Sequence, residues 1–149
     1  LGSGDWEYEQ FFKEMQAKYP GRFVLCQGFV PELARKIYGG SDIFLMPSKS
    51  EPCGLSQMVA LRYGSIPVVR ETGGLKDSIT DSGDGKGNGF TFQTYDTQDM
   101  LNSVHRAIYA YNESKDGWKV LVERAMACDN SWGRSANDYI RLYKQLINS

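Results

Sequence analysis

Short apolar runs alternate with helical patterns through much of this sequence, and that alternation limits the possible folds more than any other feature. The runs occupy residues 23–26, 43–46, 66–69 and 90–92, and each is bounded by glycine, proline or a polar residue. Near-continuous apolar strands of this kind are typical of parallel sheets that are covered on both faces. The sequence therefore predicts an α/β fold with a parallel sheet, right-handed crossovers and flanking helices.

Segments between and after these runs carry apolar residues at helical spacing. They are residues 6–19, 31–40, 54–63, 96–112, 117–128 and 131–147. The last three are expected to form a C-terminal group of helices. Trp118 and Trp132 lie in that group, and we expect both to pack helices against each other. The alternative is that they form platforms for a carbohydrate.

The glycine-rich segment 81–89 is predicted to be a surface loop before the last strand. Its acidic residues lack the spacing of an EF-hand. No Lys-Ser or Lys-Thr pair leads from it into a helix, as a phosphate-binding P-loop requires. The segment is therefore assigned no ligand.

The composition excludes several classes of function. With 17 basic and 18 acidic side chains, the net charge of −1 gives no broad electrostatic reason to bind nucleic acid or an anionic membrane. One histidine, His105, and three cysteines far apart in sequence offer neither a zinc-ligand cluster nor a histidine-based catalytic triad. We therefore expect neither a zinc enzyme nor a histidine-based triad. No stretch approaches the roughly 18 apolar residues of a membrane span.

The most informative motif, residues 47–57, joins a predicted strand to a predicted helix. Ligands bind parallel α/β sheets at the carboxyl ends of the strands, which is where this motif begins. Gly54 lets the backbone approach a ligand closely. The unpaired amides of Leu55, Ser56 and Gln57 at the helix start form a site suited to a phosphate or diphosphate.

Glu51 precedes that helix and would direct a carboxylate at the same cleft. There it can accept hydrogen bonds from hydroxyl groups or stabilise developing positive charge. An acidic group beside an anion site suits a ligand with both sugar and phosphate parts. The alternative is that the motif is only a turn, in which Ser50 or Glu51 caps the helix.

A second motif, residues 70–77, follows the predicted strand 66–69. Its glycine pair, Gly73 and Gly74, allows a tight backbone turn near a ligand. The alternative for this pair is an ordinary turn between a strand and a helix.

Four stretches closely resemble glycogen and starch synthases in their amino acids, their order and their spacing. They are residues 42–48, 51–57, 62–70 and 72–77. The resemblance implies a retaining glycosyltransferase of the GT-B fold, built from two Rossmann-like domains. Such an enzyme transfers glucose from ADP-glucose, or from UDP-glucose, to the non-reducing end of an α-1,4-glucan. The resemblance implies no metal and no cofactor.

The resemblance also assigns roles to individual residues. Glu51 matches the catalytic glutamate beside the transferred glucose. The substrate-binding positions are the loop that contacts sugar hydroxyls, the amides that bind the diphosphate and the turn lining the same cleft: Cys53, Gly54, Leu55, Ser56, Thr72 and Gly73. Phe29 resembles the aromatic residue that packs on the nucleobase, and the alternative is that Phe29 packs in the core or against a loop.

The resemblance finally implies how much of an enzyme this chain represents. Residues 1–149 match the later part of the C-terminal, donor-binding domain, with helices from about residue 96 to 149. The basic residues that bind the diphosphate, and the domain that holds the glucan, would precede Leu1. We therefore expect the chain alone to be inactive and to self-associate through an exposed sheet edge.

Two further expectations concern its setting and its class. The compartment would be a bacterial cytoplasm or a plastid stroma. The alternative to an enzyme is a non-catalytic module that binds a nucleotide sugar or a partner protein.

Overall fold

The structure, a computed structural model, describes residues 1–148, and in them the chain forms seven α-helices and three β-strands. The helices are α1 Trp6–Lys18, α2 Pro31–Gly40, α3 Ser56–Tyr63, α4 Gly73–Ser78, α5 Thr97–Glu113, α6 Lys115–Met126 and α7 Trp132–Ile147. The strands are β1 Ile43–Met46, β2 Ile66–Arg70 and β3 Phe90–Phe92. A turn of 3-10 helix covers Ser82–Asp84.

The three strands form one parallel sheet in the order β1, β2, β3. Ile43 of β1 pairs with Ile66 of β2, and Val68 of β2 pairs with Phe90 of β3. β2 is the central strand, and its first four residues are buried. The predicted parallel α/β sheet is confirmed for these three runs.

Helices flank this sheet and supply most of the remaining core, since α3, α5 and α6 all contact β2. Their buried apolar side chains form one cluster with the strand residues. Its members from the helices are Leu61, Leu75, Ala107, Trp118, Leu121 and Ala125.

The ends of the helices have local causes in the sequence. Gly64 ends α3 in the left-handed conformation, with φ of 81°, and its N–H donates to the carbonyl groups of Ala60 and Leu61. Asp96 caps the start of α5, because its carboxylate accepts hydrogen bonds from the N–H groups of Gln98 at 2.8 Å and Asp99 at 3.1 Å. These two helix termini set where the loops that join the helices to the strands begin or end.

The chain divides into two compact units, Leu1–Ile37 and Tyr38–Ser149, and the sheet belongs to the second. In the first unit the prediction of a strand at residues 23–26 is wrong. One isolated parallel bridge pairs Gly2 with Gln27, directly after that segment, and in it Gly2 donates to the carbonyl of Cys26 at 3.1 Å and accepts from Gly28 at 3.0 Å. A strand requires a ladder, and no ladder forms along the run 23–26 in the described chain.

The prediction for the two tryptophans is confirmed for one and wrong for the other. Trp118 is 9% exposed and packs edge-on against Tyr111, with ring centroids 5.2 Å apart. Trp132 is 88% exposed at the start of α7, a helix with no buried residue in the described chain. Helical spacing of apolar residues identified α7 as a helix but did not identify a surface that covers it. None of the described helices combines the length and the apolar character needed to cross a membrane.

Hydrogen bonds hold segment 81–89, the predicted surface loop, against β3 and α5. The Asp81 carboxylate accepts two hydrogen bonds from Arg106, at 2.8 and 2.7 Å, and one from the N–H of Thr91 at 2.8 Å. Burial raises the pKa of Asp81, but the hydrogen bonds from Arg106, Thr91 and Gly83 outweigh that effect and lower the pKa from 3.8 to about 2. The segment is therefore tied to β3 and α5 by an ionised aspartate.

Candidate functional site

Two loops meet at the carboxyl edge of the sheet. The loop of residues 47–55 follows β1 and leads into α3, while residues 71–72 connect β2 to α4. The carbonyl of Glu51 accepts a hydrogen bond from the N–H of Gly74 at 3.1 Å, which joins the two loops directly. The structure thus brings the two sequence motifs into one site, as expected for loops that follow neighbouring parallel strands.

The glycine pair at the start of α4 makes this contact possible. Gly73 has φ of 43°, and a Cβ on it would overlap the carbonyl oxygen of Glu51. A Cβ on Gly74 would overlap the carbonyl oxygen of Cys53. The glycines therefore allow the second loop to lie directly against the backbone of the first, and they lie where the chain turns from β2 into the short helix α4.

Glu51 is half-buried, and its carboxylate has no hydrogen-bond or ion-pair partner among the described residues. No side chain caps the start of α3. The alternative that Ser50 or Glu51 serves as the helix cap is therefore wrong. The Glu51 carboxylate stays available to a ligand, while the Glu51 backbone is fixed by Gly74.

The start of α3 is also available to a ligand. Leu55 is the residue before the helix, and Ser56 is its first residue. The first N–H groups of a helix have no partner within it, and here no side chain replaces one. Leu55 is exposed and Ser56 is half-buried, so this helix start reaches the surface. The site therefore presents backbone N–H groups close in sequence to a free carboxylate.

Gly54 and Gln57 shape the turn that leads into α3. Gly54 has φ of 72°, and a Cβ on it would lie 2.6 Å from Oε1 of Gln57. Gln57 is fully buried, and its Nε2 donates to the carbonyl of Gly54 at 2.9 Å and to Oγ of Ser78 at 3.0 Å. Sequence reasoning considered only the backbone amide of Gln57 and missed this side chain as the group that holds the turn. A buried glutamine at a helix start is the signal that was available.

Cys53 is exposed beside this turn, and Thr72 is half-buried in the second loop. A cavity of about 460 Å³ has Pro52, Cys53 and Gly74 in its wall, but Glu51, Ser56 and Thr72 do not line it. No cluster of three or more metal-ligating side chains is found in the part of the chain that the structure describes.

Phe29 lies in the unit Leu1–Ile37, whereas the other predicted site residues lie in Tyr38–Ser149. Its side chain is 90% exposed and follows Gly28, which has φ of 106°. The alternative that Phe29 packs in the core is therefore wrong. Its stacking on a nucleobase stays a prediction.

The side chain of Arg70 is a second group that sequence reasoning missed. Arg70 is the first residue of the second motif. It ends β2, and its guanidinium donates to backbone carbonyls in the loops on both sides. The available signal was a charged residue directly after the buried run 66–69.

Comparison with known proteins gives consistent similarities. The family model described as "Glycosyl transferases group 1" matches residues 2–117. The glycogen synthases of Geobacillus thermodenitrificans and Geobacillus stearothermophilus are 53% and 52% identical to this chain over 149 residues, which is 99% of this chain and 30% of each relative. The chain thus spans about 30% of the length of these curated relatives.

Solved structures show the same pattern. The catalytic domain of starch synthase IV from Arabidopsis thaliana, bound to ADP and acarbose, matches with a TM-score of 0.84 and 38% identity. That match covers 99% of this chain and 31% of the other. Anabaena HepE in complex with UDP-glucose matches with a TM-score of 0.65 and 17% identity, over 85% of this chain and 34% of the other, which supports the fold alone.

Proposed function

The chain belongs to the group 1 glycosyl transferases, and on that premise we propose that it forms the donor-binding side of a glucosyltransferase active site. The reaction is transfer of glucose from ADP-glucose to the non-reducing end of an α-1,4-glucan, with retention of configuration. The observation that carries this proposal is the uncapped start of α3 beside the unpartnered Glu51 carboxylate. The 53% identity to a glycogen synthase supports the choice of reaction.

In this proposal the diphosphate binds at the start of α3. The N–H groups of Leu55 and Ser56, together with the Ser56 hydroxyl, donate hydrogen bonds to its oxygens. The helix dipole adds a favourable interaction with the anion. Negative charge that develops on the leaving diphosphate is thus stabilised by groups already in place.

Glu51 acts on the sugar half of the donor. Its carboxylate accepts hydrogen bonds from glucose hydroxyls and stabilises the positive charge that develops at the anomeric carbon as the bond to the diphosphate breaks. Cys53 and Gly54 contact the sugar hydroxyls, and Thr72 and Gly73 line the same cleft. Glu51 is suited to this role because its backbone is held by Gly74 while its side chain is free.

Two parts of the proposal concern groups beyond the Glu51 loop. Phe29 stacks on the adenine, and the glucan acceptor is held by a further domain of a protein as long as the relatives. The starch synthase IV structure bound to ADP supports ADP-glucose as the donor. UDP-glucose is the competing donor and has to be tested in parallel.

A chimera tests the proposed reaction. Residues 1–149 of this chain would replace the matching stretch of the Geobacillus stearothermophilus glycogen synthase, which is 52% identical. We expect the chimera to transfer radiolabelled glucose from ADP-glucose to glycogen, and Glu51→Gln to lower kcat by about 100-fold or more. Glu113→Gln, at the exposed end of α5, is the matched control and should leave kcat unchanged. A folded chimera that transfers no glucose from either donor would contradict the proposal.

Calorimetry on the chain itself separates donor binding from a purely structural module. The chain would be titrated with ADP and with ADP-glucose, before and after Glu51→Ala. Weaker binding of ADP-glucose with unchanged binding of ADP is expected, because Glu51 acts on the sugar. Equal effects of Glu51→Ala on both ligands would remove Glu51 from the sugar side of the site.

A further inference from the structure

Arg70 connects the three strands of the sheet at their carboxyl ends. It is the last residue of the central strand, β2. Its Nε donates to the carbonyl of Ser48 at 3.0 Å, and its Nη2 donates to the carbonyl of Lys49. On the other side, its Nη1 donates to the carbonyl of Gln93 at 3.4 Å. The guanidinium carbon also lies 5.7 Å from the centre of the Tyr95 ring.

These contacts use the guanidinium for backbone carbonyls rather than for a carboxylate. Arg70 makes no salt bridge with any described residue. Two of its acceptors belong to the loop after β1, and the third belongs to the segment after β3. A planar guanidinium can serve several carbonyls at fixed angles, which a lysine ammonium cannot do in the same geometry.

The loop that carries Glu51 is thereby held at two points that are close in sequence. Arg70 holds the carbonyls of Ser48 and Lys49, and two residues further along the loop the carbonyl of Glu51 is held by the N–H of Gly74. No side-chain cap from this loop reaches α3. The direction of the Glu51 side chain therefore depends on these two attachments.

We propose that Arg70 is a positioning residue that fixes the backbone of the Glu51 loop and so sets the direction of the Glu51 carboxylate. Its importance for catalysis rests on the proposed function, whereas its effect on the loop does not. In this role Arg70 acts through Glu51, because each of its three nitrogens donates to a backbone carbonyl.

Nuclear magnetic resonance on the chain tests the loop directly. The variants are Arg70→Met, which removes the guanidinium, and Arg70→Lys, which keeps the charge. Arg62→Met is the control, since Arg62 is exposed and its described hydrogen bond is a 3.5 Å contact with the carbonyl of Met126. Two readouts are followed: the amide order parameters of residues 49–51 and 53, and the hydrogen exchange of the Gly74 N–H, which Glu51 protects.

In Arg70→Met we expect order parameters in the loop to fall below about 0.6, and exchange of the Gly74 N–H to rise about tenfold. Arg70→Lys should raise that exchange by about threefold, because one charged donor cannot serve two loops. If Arg70→Met does not fold, Arg70→Lys carries the test. Wild-type order parameters and exchange in whichever variant folds would overturn the proposal.

The chimera then tests the catalytic consequence. Arg70→Lys should lower kcat for glucosyl transfer by about tenfold and leave the Kd for ADP within about twofold of the wild type. A loss of ADP affinity as large as the loss of kcat would overturn the positioning role, because it would place Arg70 on the diphosphate. A chimera that is inactive with Arg70 intact would refute the proposed function, while the loop measurements would still decide the role of Arg70.

Discussion

The carbonyl oxygen of Glu51 accepts a hydrogen bond from the N–H of Gly74 at 3.1 Å, and this contact places the loop after β1 against the first turn of α4. The two residues come from the two motifs that follow neighbouring strands of the parallel sheet. The contact fixes the backbone of Glu51 without using its carboxylate. The loop residue proposed to act on the donor sugar is thereby held in place by the scaffold beneath it.

Gly74→Ala tests how much the structure depends on that close approach. A Cβ at Gly74 would overlap the carbonyl oxygen of Cys53, so the loop or α4 would have to move. We expect a loss of about 2 kcal/mol or more in the free energy of unfolding, measured by urea denaturation. Gly40→Ala is the matched control, since a Cβ there has nothing within 4 Å. Equal stability of the two variants would show that the contact between the loops is not tight.

The meeting of the two motifs was predictable, whereas the way they meet was not. Continuous apolar runs identified β1, β2 and β3, and parallel strands carry their following loops to one edge. The glycine pair signalled a close approach, but the approaching group is the backbone of the Glu51 loop, which only the three-dimensional arrangement shows. The contacts of Arg70 were not predictable for the same reason, because its acceptors are backbone carbonyls far from it in sequence.

The errors have a common physical origin. The run 23–26 has strand composition, yet a strand exists only where a neighbour supplies a ladder, and within the described residues there is only a single bridge beside it, between Gly2 and Gln27. Trp132 has the spacing of a packing residue, yet it is exposed on α7. Both predictions used local pattern to infer a non-local partner, which local pattern does not specify.

Asp81→Asn tests the ion pair that anchors segment 81–89. Because the pKa of Asp81 is lowered from 3.8 to about 2, the native state favours the ionised carboxylate. That stabilisation is complete above about pH 5 and is lost as the pH falls through 3.8 towards 2. Asp81 is partly exposed to solvent, so screening limits the loss in Asp81→Asn to about 1 kcal/mol at pH 7.

Urea denaturation of the wild type and of Asp81→Asn between pH 2 and pH 7 measures this difference. The gap between the two proteins should narrow as the pH approaches 2, since the wild-type carboxylate becomes protonated. Asp138→Asn is the control, because Asp138 pairs with Arg141 at 2.8 Å on the exposed surface of α7. A gap that is independent of pH would mean that the charge of Asp81 does not contribute.

Phe29→Ala tests the predicted nucleobase contact. An exposed phenylalanine after a glycine with positive φ can offer its ring face to an adenine. Loss of one stacking contact should weaken ADP binding to the chimera by about tenfold in calorimetric titration. Phe11→Ala is the control, since Phe11 is also exposed, on α1 of the same unit. Equal ADP affinity in Phe29→Ala and the wild type would remove Phe29 from the site.

Leu45→Lys tests the predicted self-association through a sheet edge. β1 and β3 are the edge strands of the described sheet, and Leu45 of β1 is 44% exposed. An edge strand with an exposed apolar side chain can pair with a second copy, and a lysine at that position opposes such pairing. Light scattering should show a mass that rises with concentration for the wild type and stays at one chain for Leu45→Lys. Leu101→Lys, on the exposed surface of α5, is the control and should associate like the wild type. A wild-type chain that stays monomeric at high concentration would contradict the prediction.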